Sequence, residues 1–397
     1  MKIEAFALER WMTRYEVDVA YDIAESGIAP LTTRDLLDLL PGDDRQSMLD
    51  GLLDTKLGYS EAPGSEALRA ALAATYAATG PDEILVTTGA IEANYLLFNT
   101  LLDPGDHVVA VAPAYQQLLS VPAAIGCQVS RWEVWPEGGF RLDLDALERL
   151  VTPATRLIVI NSPHNPTGAI LDADGLRRVY ALAESVGARV LSDEAYRWLS
   201  HEDGPEPVPP MRDLGPLGIS VGTFSKPFGL PGLRIGWIAA PADLVAACWG
   251  ARDYVSLSPG KLNDALALLA LRHRGPIQAR NRQIIAKNTA AAAAWFAENA
   301  DLVAWRPPTA GLLTMLAHAP DMPSLPLANR LAEEASVMLA PGSTFGLEGY
   351  LRIGIGQEPA IFRQGLERAA SFLRQVAAEV PTRAGWRAGI DAGAAVR

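Results

Sequence analysis

Short apolar runs alternate with amphipathic stretches through the middle of the chain. Runs at 83–87, 107–111, 127–134, 156–160, 188–191, 219–223 and 234–239 read as strands. Helical patterns lie at 90–102, from about Asp143, and at 172–187. Strands this apolar, interleaved this regularly with helices, predict an α/β fold with a mainly parallel, doubly wound sheet covered on both faces. The flanks differ. Residues 1–40 are mixed, and the chain from about 285 opens with a long Ala-rich helix before short strands near 312–317 and 350–355. The flanks are expected to pair into a smaller α+β domain. The expected division is a large domain over 41–285 and a small domain from 1–40 and 286–380. Residues 381–397, rich in Ala, Gly and Arg without periodicity, are expected to be a loose tail.

Composition narrows the class of protein. The 397 residues allow two or three domains, and 49% hydrophobic with 20% charged residues is an ordinary globular balance. Thirty-four basic against 46 acidic residues give a net charge of −12 with no basic stripe, so nucleic acid is not an expected partner. Lysine is scarce: Lys2, Lys56, Lys226, Lys261 and Lys287 are the five, a bias we attribute to a genome that favours arginine codons. Any lysine in an unusual setting therefore stands out. Two cysteines cannot build a disulfide framework, which suits a reducing compartment. The first residues lack the zones of a secretory signal, and no run of 18 apolar residues occurs. A cytoplasmic protein with no membrane partner is expected.

Several chemistries are absent as motifs. There is no G-x-x-x-x-G-K-[ST] loop, no G-x-G-x-x-G after the first strand, no G-x-S-x-G elbow and no H-E-x-x-H pair. The five histidines are scattered, so no metal is expected. What remains is gathered at strand ends, where open α/β sheets bind ligands. Thr88-Gly89-Ala90-Ile91 opens a helix, and Pro113-Ala114-Tyr115 follows the next strand. Asn161 to Gly168 contains Asn165-Pro166-Thr167-Gly168, Ser192-Asp193-Glu194-Ala195-Tyr196 follows, and Ser225-Lys226 precedes Gly229 to Arg234. A helix N-terminus, an aromatic ring, an amide, an acid–phenol pair and a lysine suit a planar, phosphorylated, carbonyl-bearing cofactor.

From about residue 20 to 375 the chain resembles the class I/II aminotransferase family of fold-type-I pyridoxal-phosphate enzymes. The N-P-T-G, S-D-E-x-Y and S-K-x-x-G-x-x-G-x-R segments stand in the family's order and spacing. The resemblance implies pyridoxal 5'-phosphate bound to Lys226 as a Schiff base, with the free amine later moving protons. It implies Asp193 on the pyridine nitrogen, Tyr196 and Asn165 on the ring 3-oxygen, and Tyr115 stacked on the ring. It gives the phosphate to the backbone N–H groups of Gly89, Ala90 and Ile91, with Thr223 and Arg234. It implies a homodimer with shared active sites, Tyr59 reaching the neighbouring subunit's phosphate. Arg352 matches the arginine that grips the substrate α-carboxylate, and Ser26-Gly27 the segment that closes over it.

The chain departs from the family at Gly311-Leu312-Leu313, where many relatives carry an aromatic. Its N-terminal segment, from Glu9-Arg10-Trp11 through Asp22 to Gly27, is unusually acidic and looks like that of the capreomycidine synthase branch. The first expectation is therefore a cyclase: deprotonation of an amino acid at Cα, loss of a β-hydroxyl as water from a hydroxyarginine-type substrate, and ring closure by the guanidine. Glu9, Asp22 and Glu25 are the candidate guanidinium partners. The second is transamination between an amino acid and a 2-oxo acid. A third, a regulator with an aminotransferase-like domain, is not expected, because the residues before the fold are too few for a DNA-binding domain.

Overall fold

The computed structural model describes residues 2–201, 204 and 208–391. A seven-stranded sheet runs, edge to edge, Ile84–Thr87, Gly236–Ala239, Gly218–Thr223, Arg189–Asp193, Thr155–Asn161, His107–Ala112 and Gln128–Glu133. The strands are parallel except Gly236–Ala239, which is antiparallel to both neighbours. Helices cover both faces, so every position of Ile84–Thr87 and Gly218–Thr223 is buried and the alternation of a half-exposed strand is lost. The edge strand Gln128–Glu133 keeps exposed positions. Helix Ala173–Val186 shows how the crossovers are bounded. Asp172 accepts the Gly175 N–H at its start (2.7 Å), and Gly187 ends it in a left-handed conformation (φ 71°).

The C-terminal third forms an antiparallel sheet in the order Ala340–Pro341, Tyr350–Gly354, Leu313–His318, Val303–Trp305. The N-terminal flank joins it through Tyr21–Asp22, which pairs with Val337–Met338. Helices Arg274–Glu298 and Pro359–Glu379 pack together in this part of the molecule.

Four details differ from the expectation. The strand expected from 127 starts at Gln128. The one expected from 234 starts at Gly236, because a 3-10 turn at Pro231–Leu233 leaves Arg234 left-handed (φ 51°). Helix Thr33–Leu37 buries Leu36 and Leu37 with Leu68, Phe224, Trp237 and Leu266, so the end of the 1–40 segment shares a core with the large sheet. Residues 381–391 are not loose. Thr382 bridges Pro320, Arg383 donates to the carbonyls of His318 and Gly349 (3.1 and 2.9 Å), and the turn Ala388–Asp391 buries Ile390. The last six positions of the expected tail, 392–397, lie outside the described residues. Among the described residues no helix is long and apolar enough to cross a membrane, and no group of His, Cys, Asp and Glu could hold a metal ion.

Candidate active site

The strand ends open on a cavity of about 390 Å³, lined also by the N-terminal segment. Lys226 reaches it from the turn after Gly218–Thr223, where the Ser225 N–H donates to Thr223 Oγ1 (3.1 Å). Its Nζ donates to Glu25 Oε1 (3.0 Å) and Ser26 Oγ (2.8 Å). Burial works against the ammonium, but Glu25 and Tyr196 outweigh it and hold its pKa above the ordinary lysine value. The Lys226 charge in turn keeps Glu25 below the usual carboxylate range.

Asp193 ends its strand 6% exposed. Its Oδ2 accepts from Asn94 Nδ2 (2.9 Å) and its Oδ1 from the Ala195 N–H (3.0 Å). Burial pushes its pKa up, and these two donors oppose the push. A cation placed against this carboxylate would restore the charge that burial discourages. Asn161, at the neighbouring strand end, donates to the Asp193 carbonyl (2.8 Å) and accepts the Asn165 N–H (2.7 Å). Asn165 Oδ1 accepts from Arg352 Nη1 (3.1 Å), and Arg352 Nη2 donates to the Ala24 carbonyl (2.8 Å). Arg352 is 1% exposed, and among the described residues its Nε has no partner. Such an orphaned donor is costly unless a ligand meets it, and a carboxylate fits the fork.

At the other end, Gly89 (φ 78°) caps helix Ala90–Leu101. A Cβ there would lie 2.6 Å from Arg234 Nη2, so glycine admits the guanidinium to the helix N-terminus. Ala90, Ile91, Thr223 and Arg234 line the cavity there, a donor set suited to a phosphate dianion. Tyr196 is buried on its wall, its phenol pKa raised by burial. Tyr115 also lines it and donates to Glu9 Oε1 (2.9 Å). These residues fit pyridoxal phosphate at both its ring and phosphate ends.

Not every expected residue joins this group. Tyr59 is 85% exposed and outside the cavity. Ser26 lines the cavity, whereas Gly27 lies behind it, where a Cβ would be 3.7 Å from Lys226 Cδ. Glu9 and Glu25 line the cavity, but Asp22 does not: its Oδ1 accepts the Ala24 and Glu25 N–H groups (2.9 and 3.0 Å) to turn the backbone. Burial, then Glu25, push the Asp22 carboxyl up to about 6, against a role as a fixed anion. The motif reading also missed Asn94, Asn161, Gln117 and Glu16, all of which line the cavity. Asn94 had one signal, an amide on the buried face of a helix whose other inward residues are apolar except Glu92.

A fold with this crevice, and a lysine, an acid and a carboxylate-ready arginine within it, defines a fold-type-I pyridoxal-phosphate enzyme. The family model for aminotransferase class I and II matches residues 34–368, and the chain belongs to that family. It is 34% identical to capreomycidine synthase of Streptomyces vinaceus over 367 residues, 92% of each chain. A pyridoxal-phosphate-dependent aminotransferase from Streptococcus suis superposes with a TM-score of 0.89 at 36% identity, over 95% of this chain and 99% of that one. The pyridoxal-phosphate-dependent cyclase OrfR superposes at 0.84 with 32% identity, over 94% and 98%. The cofactor is pyridoxal 5'-phosphate, and the substrate class of the family is an amino acid.

Proposed function

We propose that the chain is a cyclase that removes water from a β-hydroxylated, guanidine-bearing amino acid and closes a ring through the guanidine. One observation carries this reading: the N-terminal segment brings three carboxylates, Glu9, Glu16 and Glu25, into the cavity that holds Arg352. An arginine for the α-carboxylate and several acids for a cationic side chain together describe a basic amino acid. The resemblance to capreomycidine synthase and to the cyclase OrfR supports it.

Pyridoxal phosphate, when bound, supplies the electron sink that makes loss of the Cα proton feasible. In this reading Asp193 faces the pyridine nitrogen, with Asn94 keeping the carboxylate ionised and aimed. Asn165 and Tyr196 orient the ring oxygen, and Tyr115 backs the ring. Gly89, Ala90, Ile91, Thr223 and Arg234 hold the phosphate. Arg352 fixes the α-carboxylate, with Ser26 and Gly27 closing over it. Lys226 takes the Cα proton and passes a proton to the departing β-hydroxyl, which leaves as water. A guanidine nitrogen bonds to Cβ, and the proton it sheds replaces the one taken from Cα. Glu9, Glu16 and Glu25 hold the guanidinium near Cβ. We further infer a homodimer that shares its sites, because Tyr59 and the apolar Leu57, Tyr254 and Val255 are all exposed on the single chain.

Transamination is the second reading, favoured by the likeness to the Streptococcus suis aminotransferase. One experiment separates the two. The holoenzyme is incubated with glutamate, alanine, arginine or 3-hydroxyarginine, and products are followed by mass. The cyclase loses one water from 3-hydroxyarginine with all nitrogen retained. Oxo acids and pyridoxamine phosphate accumulating with common donors overturn it.

A further inference from the structure

Arg252 has no part in the chemistry above, yet it is wholly buried at the end of helix Ala242–Arg252. A buried guanidinium is costly unless it is well paired, so its partners indicate what it secures. Nη1 donates to the Ala62 carbonyl (2.7 Å) and the Val86 carbonyl (2.6 Å), and Nε donates to Ser256 Oγ (3.1 Å). Nε also lies 3.8 Å from Glu92 Oε2, and that oxygen accepts the Thr88 N–H (2.5 Å).

These contacts tie together three segments. Ala62 belongs to the stretch that carries Tyr59 and packs on the strand leading to Gly89, since the Val86 N–H donates to the Pro63 carbonyl (2.9 Å). Val86 and Thr88 flank the end of that strand, and Glu92 sits in the first turn of the helix that Gly89 opens. Ser256 lies in the segment that exposes Tyr254, Val255 and Leu257. The charge balance matters as well. A buried carboxylate in the first turn would repel a phosphate dianion, and Arg252 is the cation beside it.

We infer that Arg252, paired with Glu92, is a positioning residue that sets the phosphate end of the cofactor site and the Tyr59 segment in one arrangement. The inference rests on the assignment of that helix N-terminus to the phosphate. Cofactor affinity and subunit association then share one buried hub, and damage to it weakens both.

The test compares wild type with Arg252→Lys, Arg252→Met and Arg383→Met, the last a half-buried arginine remote from the cavity. Apoprotein is titrated with pyridoxal phosphate at 10 °C, following the Schiff-base absorbance. Dimer dissociation is followed by sedimentation, and near-UV circular dichroism reports folding. Arg252→Met is expected to weaken cofactor binding tenfold or more and to raise the dimer dissociation constant by a similar factor. Lysine keeps the charge but not the fork, and Arg252→Lys is expected to lie in between, at threefold or more. Arg383→Met is expected to unfold at lower temperature with unchanged cofactor affinity. A folded Arg252→Met or Arg252→Lys variant that binds the cofactor as wild type does overturns the inference, and Arg252→Lys decides alone if Arg252→Met does not fold. Equal weakening in Arg383→Met also overturns it, as a general effect of lost stability. A wild-type chain with no Schiff-base band removes the underlying phosphate assignment instead, and is recognised by that missing band.

Discussion

Asp193 shows how much a single residue depends on its neighbours. Its burial favours the neutral acid, and the chemistry assigned to it needs the anion. Asn94 is the side chain that opposes the burial, through one hydrogen bond of 2.9 Å. A bond to a charged acceptor is worth about 1.5–3 kcal/mol. Asn94→Ala is therefore expected to move the acidic limb of the kcat/KM profile to higher pH, with up to about tenfold lower activity on the acid side of that limb. The measurement is a pH–rate profile beside wild type, and an unmoved acidic limb rules the role out. Lys226, Asp193, Tyr196 and Arg352 were legible because each sits in a contiguous motif. Asn94 and Asn161 were not, because each acts through a hydrogen bond to a residue distant in sequence. Asp22 was misread for the converse reason: an acid in an acidic segment looks like a ligand, and its turn with Ala24 and Glu25 shows only in three dimensions.

Among the elements, the nine-residue helix Ala7–Tyr15 ties the two parts of the molecule together across the cavity. On the C-terminal side Trp11 Nε1 donates to Asn329 (2.9 Å) and the Tyr15 hydroxyl to Glu333 (2.6 Å). On the other, the Ala7 N–H donates to Gln116 (2.8 Å), and Glu9 accepts from Tyr115 (2.9 Å). Leu8, Glu9, Met12 and Glu16 reach the cavity from it or just beyond it. The cofactor donors lie elsewhere, on the strand ends. A chain lacking residues 2–16 is thus expected to keep its Schiff-base band while KM for a cationic amino acid rises tenfold or more, with kcat changed less. Steady-state kinetics on the shortened chain decide the matter, and an unchanged KM removes the helix from substrate recognition. This helix escaped the sequence reading, which found 1–40 mixed, because its partners are more than 100 or 300 residues away. The sheet strands were legible because burial on both faces writes an unbroken apolar run. Helix Gly42–Leu53 escaped for the opposite reason, since it buries no residue and carries no stripe.

At the scale of the whole molecule, buried titratable groups decide how stability responds to acid. His318, at the end of the strand Leu313–His318, is completely buried, and burial followed by the nearby Arg383 charge lowers its pKa to about 4. His164 is lowered to about 4 by burial as well, and neither it nor Trp11 lines the cavity. The unfolded chain gains protons on such histidines near the ordinary value of about 6.5, whereas the folded chain refuses them until about pH 4. Between those limits unfolding takes up protons, so each group makes the fold more stable as pH rises from 4 to 6.5 and costs nothing above that. For one histidine the loss between pH 7 and pH 5 is about 2 kcal/mol. His318 is the cleaner probe, because it lies outside the cavity and its variant should leave the cofactor site intact. The glutamine of His318→Gln cannot titrate and can still donate to the Pro320 carbonyl that Nδ1 contacts at 3.1 Å. Urea unfolding of wild type and variant at both pH values gives the comparison. The stability lost between pH 7 and pH 5 should be about 2 kcal/mol smaller in the variant, whatever its stability at pH 7. Equal losses in the two proteins would mean that His318 takes up its proton while folded, and would place acid sensitivity with the buried carboxylates instead.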